Sequence, residues 1–243
     1  MHIPDGFIDA RTSMAGAVVA AGLVGVSIKK AARDLDDREI PLAGLVAAYI
    51  FALQMLNFPV ASGTSGHLLG GCLAAVLVGP WVGSLCMAVV FLVQALVFAD
   101  GGLTALGLNI IVMGYVTCFV GYGIYLLLRT VVPATRTGVT ASAAVASWFG
   151  VVASAVVFVA YYAVGGTTDV SLATVAGAMV GVHALVGIGE AVLTGLTVGA
   201  VLAVRPDLVY GAQDLRPVLE LRARVAAPVA ITVAEPVDVV GSL

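Results

Sequence analysis

Charged residues are scarce in this chain of 243 residues, which contains 11 lysines and arginines, 14 aspartates and glutamates, and 61% hydrophobic residues. A soluble domain carries charge on about 25% of its residues, whereas the share here is 10%. Such a chain cannot cover a water-facing surface with polar groups, so we predict a multi-pass membrane protein. The net charge of −3 is spread along the chain and gives no indication of nucleic-acid binding.

Cysteine and lysine are also rare, and the positions of the few that occur exclude several mechanisms. The cysteines Cys72, Cys86 and Cys118 form no CxxC pair, which argues against a disulfide framework or a thiolate metal site. Lys29 and Lys30 are the only lysines, and neither follows a glycine-rich phosphate-binding loop. Any ATP hydrolysis must therefore come from partner subunits, and no permanent cofactor is expected.

Long apolar runs stand in place of the missing charges. A helix that spans a bilayer needs about 17–25 mostly apolar residues, and the runs predict an all-α bundle of about seven transmembrane helices. The third run is short because glycines flank it, so we expect it to be tilted or to cross only part of the membrane. The seven runs cover residues 12–28, 40–57, 67–79, 83–99, 103–128, 139–164 and 171–204.

The basic residues predict the orientation of this bundle. Ten of the eleven lysines and arginines follow the first, fifth and seventh runs, and only Arg11 lies elsewhere. Because cytoplasmic loops are enriched in lysine and arginine, we expect the N-terminus outside the cell and the C-terminus inside. Residues 1–204 are expected to form a single transmembrane domain. Residues 205–243, interrupted by prolines, are expected to form a partly disordered cytoplasmic tail.

Nitrogen ligands for a metal ion are concentrated at the start of the chain. Met1 and His2 offer the terminal amine, the His2 amide nitrogen and the His2 imidazole, and His67 follows a glycine-containing loop. Four nitrogens in a plane suit Ni²⁺ or Cu²⁺, and Co²⁺ occupies related sites. We expect Pro4 and Gly6 to form a tight bend that returns the chain end to the protein. The alternative is that His2 has no role and that His67 caps a helix.

A second polar feature is the inner pair His183 and Glu190. The two residues lie seven positions apart in the last run and so project from one helical face. They either relay a metal ion inward or form polar ties to Gln54, Gln94 or Asn109 on neighbouring helices.

Five segments together carry a family resemblance. They are residues 1–7 (MHIPDGF), 54–71 (QMLNFPVASGTSGHLLGG), 79–83 (GPWVG), 94–109 (QALVFADGGLTALGLN) and 183–190 (HALVGIGE). These segments resemble the CbiM/NikM family, the metal-binding membrane subunits (S components) of energy-coupling-factor transporters for cobalt and nickel. The resemblance implies that residues 1–204 form a substrate-binding domain and that the N-terminus inserts into its interior. It also implies that Met1, His2 and His67 bind Co²⁺ or Ni²⁺ through nitrogen atoms.

The resemblance also implies an ATP-driven importer in the cell membrane, with the metal site on the extracellular side. Its partners are a coupling transmembrane subunit, two cytoplasmic ATPase subunits and, in some members, a small accessory membrane subunit. The unfused layout slightly favours cobalt, which feeds cobalamin synthesis. In this arrangement Ser62, Thr64 and Ser65 are expected to orient His67.

Two other functions remain open from the sequence. Residues 63–66 form a GxSG string that, with His183 on a later run, is similar to a rhomboid-type intramembrane serine protease with Ser65 as nucleophile. A metal carrier that works without ATPases also agrees with the sequence.

Overall fold

Helices dominate the computed structural model, which describes residues 1–34, 40–56, 58–59 and 65–215. The helices are α1 (Ala10–Asp34), α2 (Ile40–Gln54), α3 (Gly71–Val78), α4 (Pro80–Val97), α5 (Leu106–Asn109), α6 (Val116–Arg129), α7 (Arg136–Gly165) and α8 (Leu172–Val204). A π-helical segment, Ile110–Tyr115, joins α5 to α6, and the 3-10 segments Pro206–Leu208 and Tyr210–Leu215 follow α8. Two short antiparallel strands, β1 (Phe58–Pro59) and β2 (Ser65–Gly66), lie between α2 and α3. The predicted all-α class is confirmed.

Among the described residues, five helical stretches are long and apolar enough to cross a membrane. They are Ala10–Arg33, Pro80–Val97, Leu106–Arg129, Arg136–Gly165 and Leu172–Val204. Large apolar side chains on these helices point outward, as Val18 (74% exposed) and Leu185 (70% exposed) illustrate, and such surfaces are stable only against lipid. The chain is a multi-pass membrane protein, whereas the count of seven crossings stays a prediction because α2 has only 15 residues.

The range predicted for the third run, 67–79, is corrected by the structure. Only Gly71–Val78 are helical there, and eight residues span about 12 Å at 1.5 Å per residue, against a hydrocarbon core of about 30 Å. Gly70 (φ 79°) and Gly79 (φ 84°) both have a positive φ, which residues other than glycine rarely adopt, and they bound the helix on both sides. Residues 71–77 are all buried, so α3 is a central half-length helix packed against α4, α6 and α7.

The helix ends that carry basic residues meet on one face of the bundle. α1 and α4 pack where Ala31 contacts the cluster around Val82. The segment Tyr210–Leu215 lies beside the α3–α4 junction and reaches the end of α6, where Asp214 forms an ion pair with Arg129. Which side of the membrane this face lies on stays a prediction from the basic residues.

The first residues of the predicted tail pack against the bundle. Val209 and Ala212 are fully buried, and the Tyr125 hydroxyl donates a 2.5 Å hydrogen bond to the Gly211 carbonyl. Residues 216–243 lie outside the described residues. The domain boundary at residue 204 stays a prediction.

Candidate metal-binding site

The amino-terminus lies inside the helix bundle, as predicted. Met1 and Ile3 are 0% and 1% exposed, and His2 is 6% exposed. The Met1 sulfur is 3.1 Å from the Ser154 hydroxyl of α7. The first three residues therefore occupy the core between helices rather than the surface.

A tight bend directs the chain into the core. The Phe7 amide donates a 3.3 Å hydrogen bond to the Pro4 carbonyl, and Gly6 has φ 75°. The Phe7 ring then packs at centroid distances of 5.9 Å from Phe158 and 5.2 Å from Tyr162. The predicted bend at Pro4 and Gly6 is confirmed, and aromatic packing on α7 holds it.

Asn109, at the end of α5, holds the inserted segment like a neighbouring strand. Its Oδ1 accepts from the Ile3 amide at 2.8 Å, and its Nδ2 donates to the Ile3 carbonyl at 3.1 Å. The Gly102 amide donates to the same carbonyl at 2.9 Å, and Asp5 Oδ1 accepts from both the amide and hydroxyl of Thr104. The bonds to Ile3 satisfy buried backbone groups that would otherwise oppose insertion.

These contacts have only weak signals in the sequence. Asn109 appeared only as an alternative partner for another residue, and the contact at Gly102 was not predicted. A side chain at Gly102 would place Cβ 2.4 Å from the Asp5 amide nitrogen, so the close approach requires glycine. A polar residue within an apolar run was the signal for Asn109, because such residues are costly unless they have a partner.

His2 and His67 lie together in the core although 65 positions separate them in the chain. Their ring centroids are 4.8 Å apart, and the Nε2 atoms of both rings are buried without a hydrogen-bond partner among the described residues. His67 Nδ1 donates to the Leu68 carbonyl at 2.7 Å, which leaves the lone pair on Nε2. His67 therefore retains a nitrogen suited to binding a metal ion. His2 Nε2 lies 3.5 Å from Asp100 Oδ2, and Nδ1 is the atom of that ring that can bind the same ion as the His2 amide nitrogen.

Burial also keeps these groups neutral. Desolvation lowers the pKa of the Met1 amine to about 5, against the opposing charge of Asp100. Desolvation, with the nearby amine as a second cause, lowers the pKa of His2 to about 3. The pKa of His67 is well below its usual range, mainly because of burial. Neutral nitrogens are the forms that bind metals, so protons do not compete strongly near pH 7.

Side chains alone do not complete a metal site in this part of the protein. Within the described residues, no three His, Cys, Asp or Glu side chains are arranged to hold one ion. A metal ion between His2 and His67 would therefore need further ligands, which the amine of Met1 and the amide nitrogen of His2 can supply. The mixture of main-chain and imidazole nitrogens stays a prediction.

Glu190 and His183 occupy separate positions and do not contact each other. Seven helical residues separate them by about 10 Å along α8, and no ion pair joins them in the described part of the chain. Glu190 instead accepts from the amides of Leu69 at 2.8 Å and Gly70 at 2.6 Å. His183 Nδ1 donates to the carbonyl of Met179 at 2.7 Å.

The backbone that follows His67 is held from three helices. In addition to Glu190 on α8, Gln54 on α2 donates to the Leu69 carbonyl at 2.6 Å, and Gln94 on α4 donates to Gln54 at 2.8 Å. The hydrogen bonds of Glu190 and His183 therefore do not go to Gln54, Gln94 or Asn109, which corrects the predicted polar ties. Glu190, Gln54 and Gln94 act together on residues 68–70, the His67 loop.

Of the loop residues predicted to orient His67, two cannot be placed. Ser62 and Thr64 lie outside the described residues, and Ser65 is described only through its backbone pairing with Pro59 in the β1–β2 strand pair. The protease alternative receives no support from His183, because Nδ1 bonds to a carbonyl and Nε2 has no hydrogen-bond partner among the described residues.

The fold and the site together define a multi-pass helical membrane protein with a buried, nitrogen-rich centre. Residues 2–208 match the family model CbiM, the cobalt uptake substrate-specific transmembrane region. The chain belongs to this family and is a metal-transport membrane component.

Relatives and solved structures agree with this assignment. The NikMN protein of Archaeoglobus fulgidus, provisionally named a fused nickel transport protein, is 38% identical over 96% of this chain and 75% of its own length. A provisionally named metal transport protein of Haloquadratum walsbyi is 38% identical over 86% of this chain and 94% of its own. The crystal structure of a truncated transition metal transporter superposes with a TM-score of 0.77 at 31% identity, covering 84% of this chain and 99% of that one.

Proposed function

We propose that this protein is the substrate-specific component of an ATP-driven energy-coupling-factor importer, and that it captures Co²⁺ or Ni²⁺ from outside the cell. The observation that carries the proposal is the burial of Met1, His2 and His67, with the two imidazole rings 4.8 Å apart and His67 Nε2 without a hydrogen-bond partner among the described residues. The names of the relatives, which include cobalt and nickel transport proteins, support the choice of metals.

Binding uses four nitrogens: the Met1 amine, the His2 amide, one nitrogen of the His2 ring, and His67 Nε2. The amine and both imidazoles are neutral before the metal arrives, so only the amide must lose its proton, which passes to solvent as the metal binds. The clamp on Ile3 and the network on Leu69 and Gly70 hold the two halves of the site in place. A rigid site of this kind loses little conformational entropy on binding.

Release on the cytoplasmic side requires a rearrangement of the bundle. α3 and the segment Tyr210–Leu215 lie between the site and the basic face, and α3 is buried along its length. The chain has no phosphate-binding loop, so two ATPase subunits acting through a coupling transmembrane subunit supply the energy, with a small accessory membrane subunit as a further partner. The site faces the extracellular side of the cell membrane in the resting state.

The test is a calorimetric titration of the purified chain with Ni²⁺ and with Co²⁺. A variant with one alanine before Met1 keeps both histidines but displaces the amine, and we expect its affinity to fall at least about 100-fold because a chelate ring is lost. A chain with one alanine added after Leu243 is the matched control. The metal that binds more tightly to the natural chain is assigned as the substrate.

Two results would contradict the proposal. Equal affinity of the natural and extended chains would place the metal elsewhere. Uptake by cells that persists after the ATPase partners are deleted would support an ATPase-independent carrier.

A further inference from the structure

The His2 ring and the Asp100 carboxylate face each other at the amino-terminal site. His2 Nε2 lies 3.5 Å from Asp100 Oδ2, and both atoms are buried without a hydrogen-bond partner among the described residues. A buried donor or acceptor left unpaired is costly, so two such atoms side by side are suited to bond with each other. Hydrogen bonds at functional sites commonly tighten when the ligand binds.

The covalent structure of histidine decides which ring nitrogen of His2 binds the ion. Nδ1 and the His2 amide nitrogen close a small chelate ring with a metal, whereas Nε2 lies on the far side of the imidazole and cannot reach the same ion. When Nδ1 gives its lone pair to the metal, Nε2 carries the hydrogen. A metal-bound imidazole almost always donates from its other nitrogen to a carboxylate, a carbonyl or water, which fixes the tautomer and the orientation of the ring. Asp100 Oδ2 is such an acceptor, and it faces this nitrogen.

The turn after α4 holds Asp100 in this place. The Asp100 amide donates a 3.0 Å hydrogen bond to the Gln94 carbonyl. Ala99 has φ 52° and is the one non-glycine residue with a positive φ in the described ranges, a conformation that is costly for a residue with a Cβ. Gly101 follows with φ 94°, and a side chain there would place Cβ 2.8 Å from the His2 ring. The backbone is therefore strained where it brings Asp100 against His2.

Asp100 is not placed to bind the metal ion itself. Within the described residues, no three His, Cys, Asp or Glu side chains are arranged to hold one ion, so Asp100 does not join His2 and His67 as a ligand. We propose that Asp100 is a positioning residue, whose carboxylate accepts the Nε2 hydrogen of His2 and thereby directs Nδ1 at the metal ion. This inference rests on the proposed function. A carboxylate acceptor also makes the imidazole a stronger ligand.

The first experiment locates the imidazole hydrogens by ¹⁵N NMR of the full, metal-free chain in detergent, labelled in its three histidines. His67 and His183 have Nδ1 at 2.7 Å from a carbonyl, so we expect their hydrogens on Nδ1. We expect the opposite tautomer for His2, whose signals are assigned by their loss in His2→Gln. In Asp100→Leu the His2 Nε2–H signal should move to the position of a weaker hydrogen bond. A His2 hydrogen on Nδ1 in the natural chain would overturn the inference.

The second experiment measures metal affinity by titration with Ni²⁺ and Co²⁺. In Asp100→Leu the acceptor is absent, and we expect the Kd to rise about 10- to 100-fold, the usual loss when the partner of a metal-bound histidine is removed. Asp100→Asn keeps an acceptor oxygen and should stay within about fivefold, because the bond persists in a weaker, uncharged form. Asp169→Asn is the matched control, since it removes the same charge from the exposed loop between α7 and α8 and should leave the Kd unchanged.

Three further results would contradict the inference. Equal losses for Asp100→Asn and Asp100→Leu would show that metal binding uses the charge of Asp100 and not the hydrogen bond. An affinity of Asp100→Leu equal to that of the natural chain, or an unchanged His2 Nε2–H signal in that variant, would show that the contact does not position the ring. Unchanged signals of His67 and His183 identify variants that are folded. The proposed function fails separately, if the natural chain binds neither metal although His2 has the expected tautomer.

Discussion

Replacing Asn109 by leucine tests whether the inserted amino-terminus depends on the clamp around Ile3. Asn109 is 2% exposed and makes two hydrogen bonds to the Ile3 backbone. Leucine has a similar volume, so the main loss is polar. The Ile3 carbonyl keeps its bond from Gly102, but the Ile3 amide loses its acceptor.

The size of the effect follows from that single amide. A buried donor without an acceptor costs about 1–3 kcal/mol, which corresponds to a factor of about 5–150 in an equilibrium constant. The cost favours release of the first residues from the core, and binding must then reinsert them. The apparent Kd rises in inverse proportion to the fraction of molecules that keep the segment inserted. We therefore expect the affinity of Asn109→Leu for Ni²⁺ or Co²⁺ to fall by up to this factor.

The assay is calorimetric titration together with thermal unfolding of the metal-free protein. Ser27→Ala is the matched control, because Ser27 is also fully buried in a polar contact, at 2.8 Å from the Tyr115 hydroxyl, but lies away from the inserted segment. It should lower the unfolding temperature and leave the Kd unchanged. An unchanged Kd in Asn109→Leu, with lowered stability alone, would refute the idea that the clamp serves the site.

Three further predictions follow from the same site. Glu190→Gln leaves one carbonyl oxygen for two backbone amides, so we expect metal affinity to fall about tenfold as the His67 loop loosens. The same titration measures it, and an unchanged affinity would mean that the loop is held without the carboxylate. Gly102→Ala places Cβ 2.4 Å from a backbone nitrogen of the inserted segment and should weaken metal binding, whereas Gly44→Ala, which meets open space, should not; equal affinities would show that the segment adjusts freely. The lowered pKa values of the Met1 amine (8.0 to about 5) and His2 (6.5 to about 3) mean that the unfolded chain binds more protons than the folded one between these limits. The metal-free protein should therefore lose stability as the pH falls from about 8 toward 3, a slope that unfolding temperatures measured against pH should reveal and that a flat profile would contradict.

Local patterns in the sequence predicted much of the fold. Apolar runs located the long helices because burial in lipid depends on composition over about 20 residues. They failed at α3, where two glycines with positive φ end the helix and the apolar residues serve the protein core instead of the lipid face. Composition does not distinguish these two environments, so residues 67–79 resembled a short crossing helix.

The site was predictable only in part for a related reason. His2 and His67 stood out because histidines are few and because residues near both resemble a known family. The interactions of Asn109 and Glu190 involve backbone atoms more than 100 positions away. Every residue type has the same backbone amide and carbonyl, so the sequence does not show which backbone groups these side chains bind. It shows only that they are polar residues within apolar runs.

The half-length of α3 has a consequence for the order in which the protein assembles. The ring of Tyr210 packs against Gly79 at the C-terminal end of α3, and the Tyr125 hydroxyl donates to the Gly211 carbonyl. Residues that follow α8 in the chain therefore complete the core around α3. During synthesis the α3–α4 junction stays uncovered until nearly all of the bundle has been made. A late step of biogenesis is thus the packing of Tyr210–Leu215 against the end of α3. Truncation just after α8 would leave a nearly complete bundle with this end of α3 uncovered.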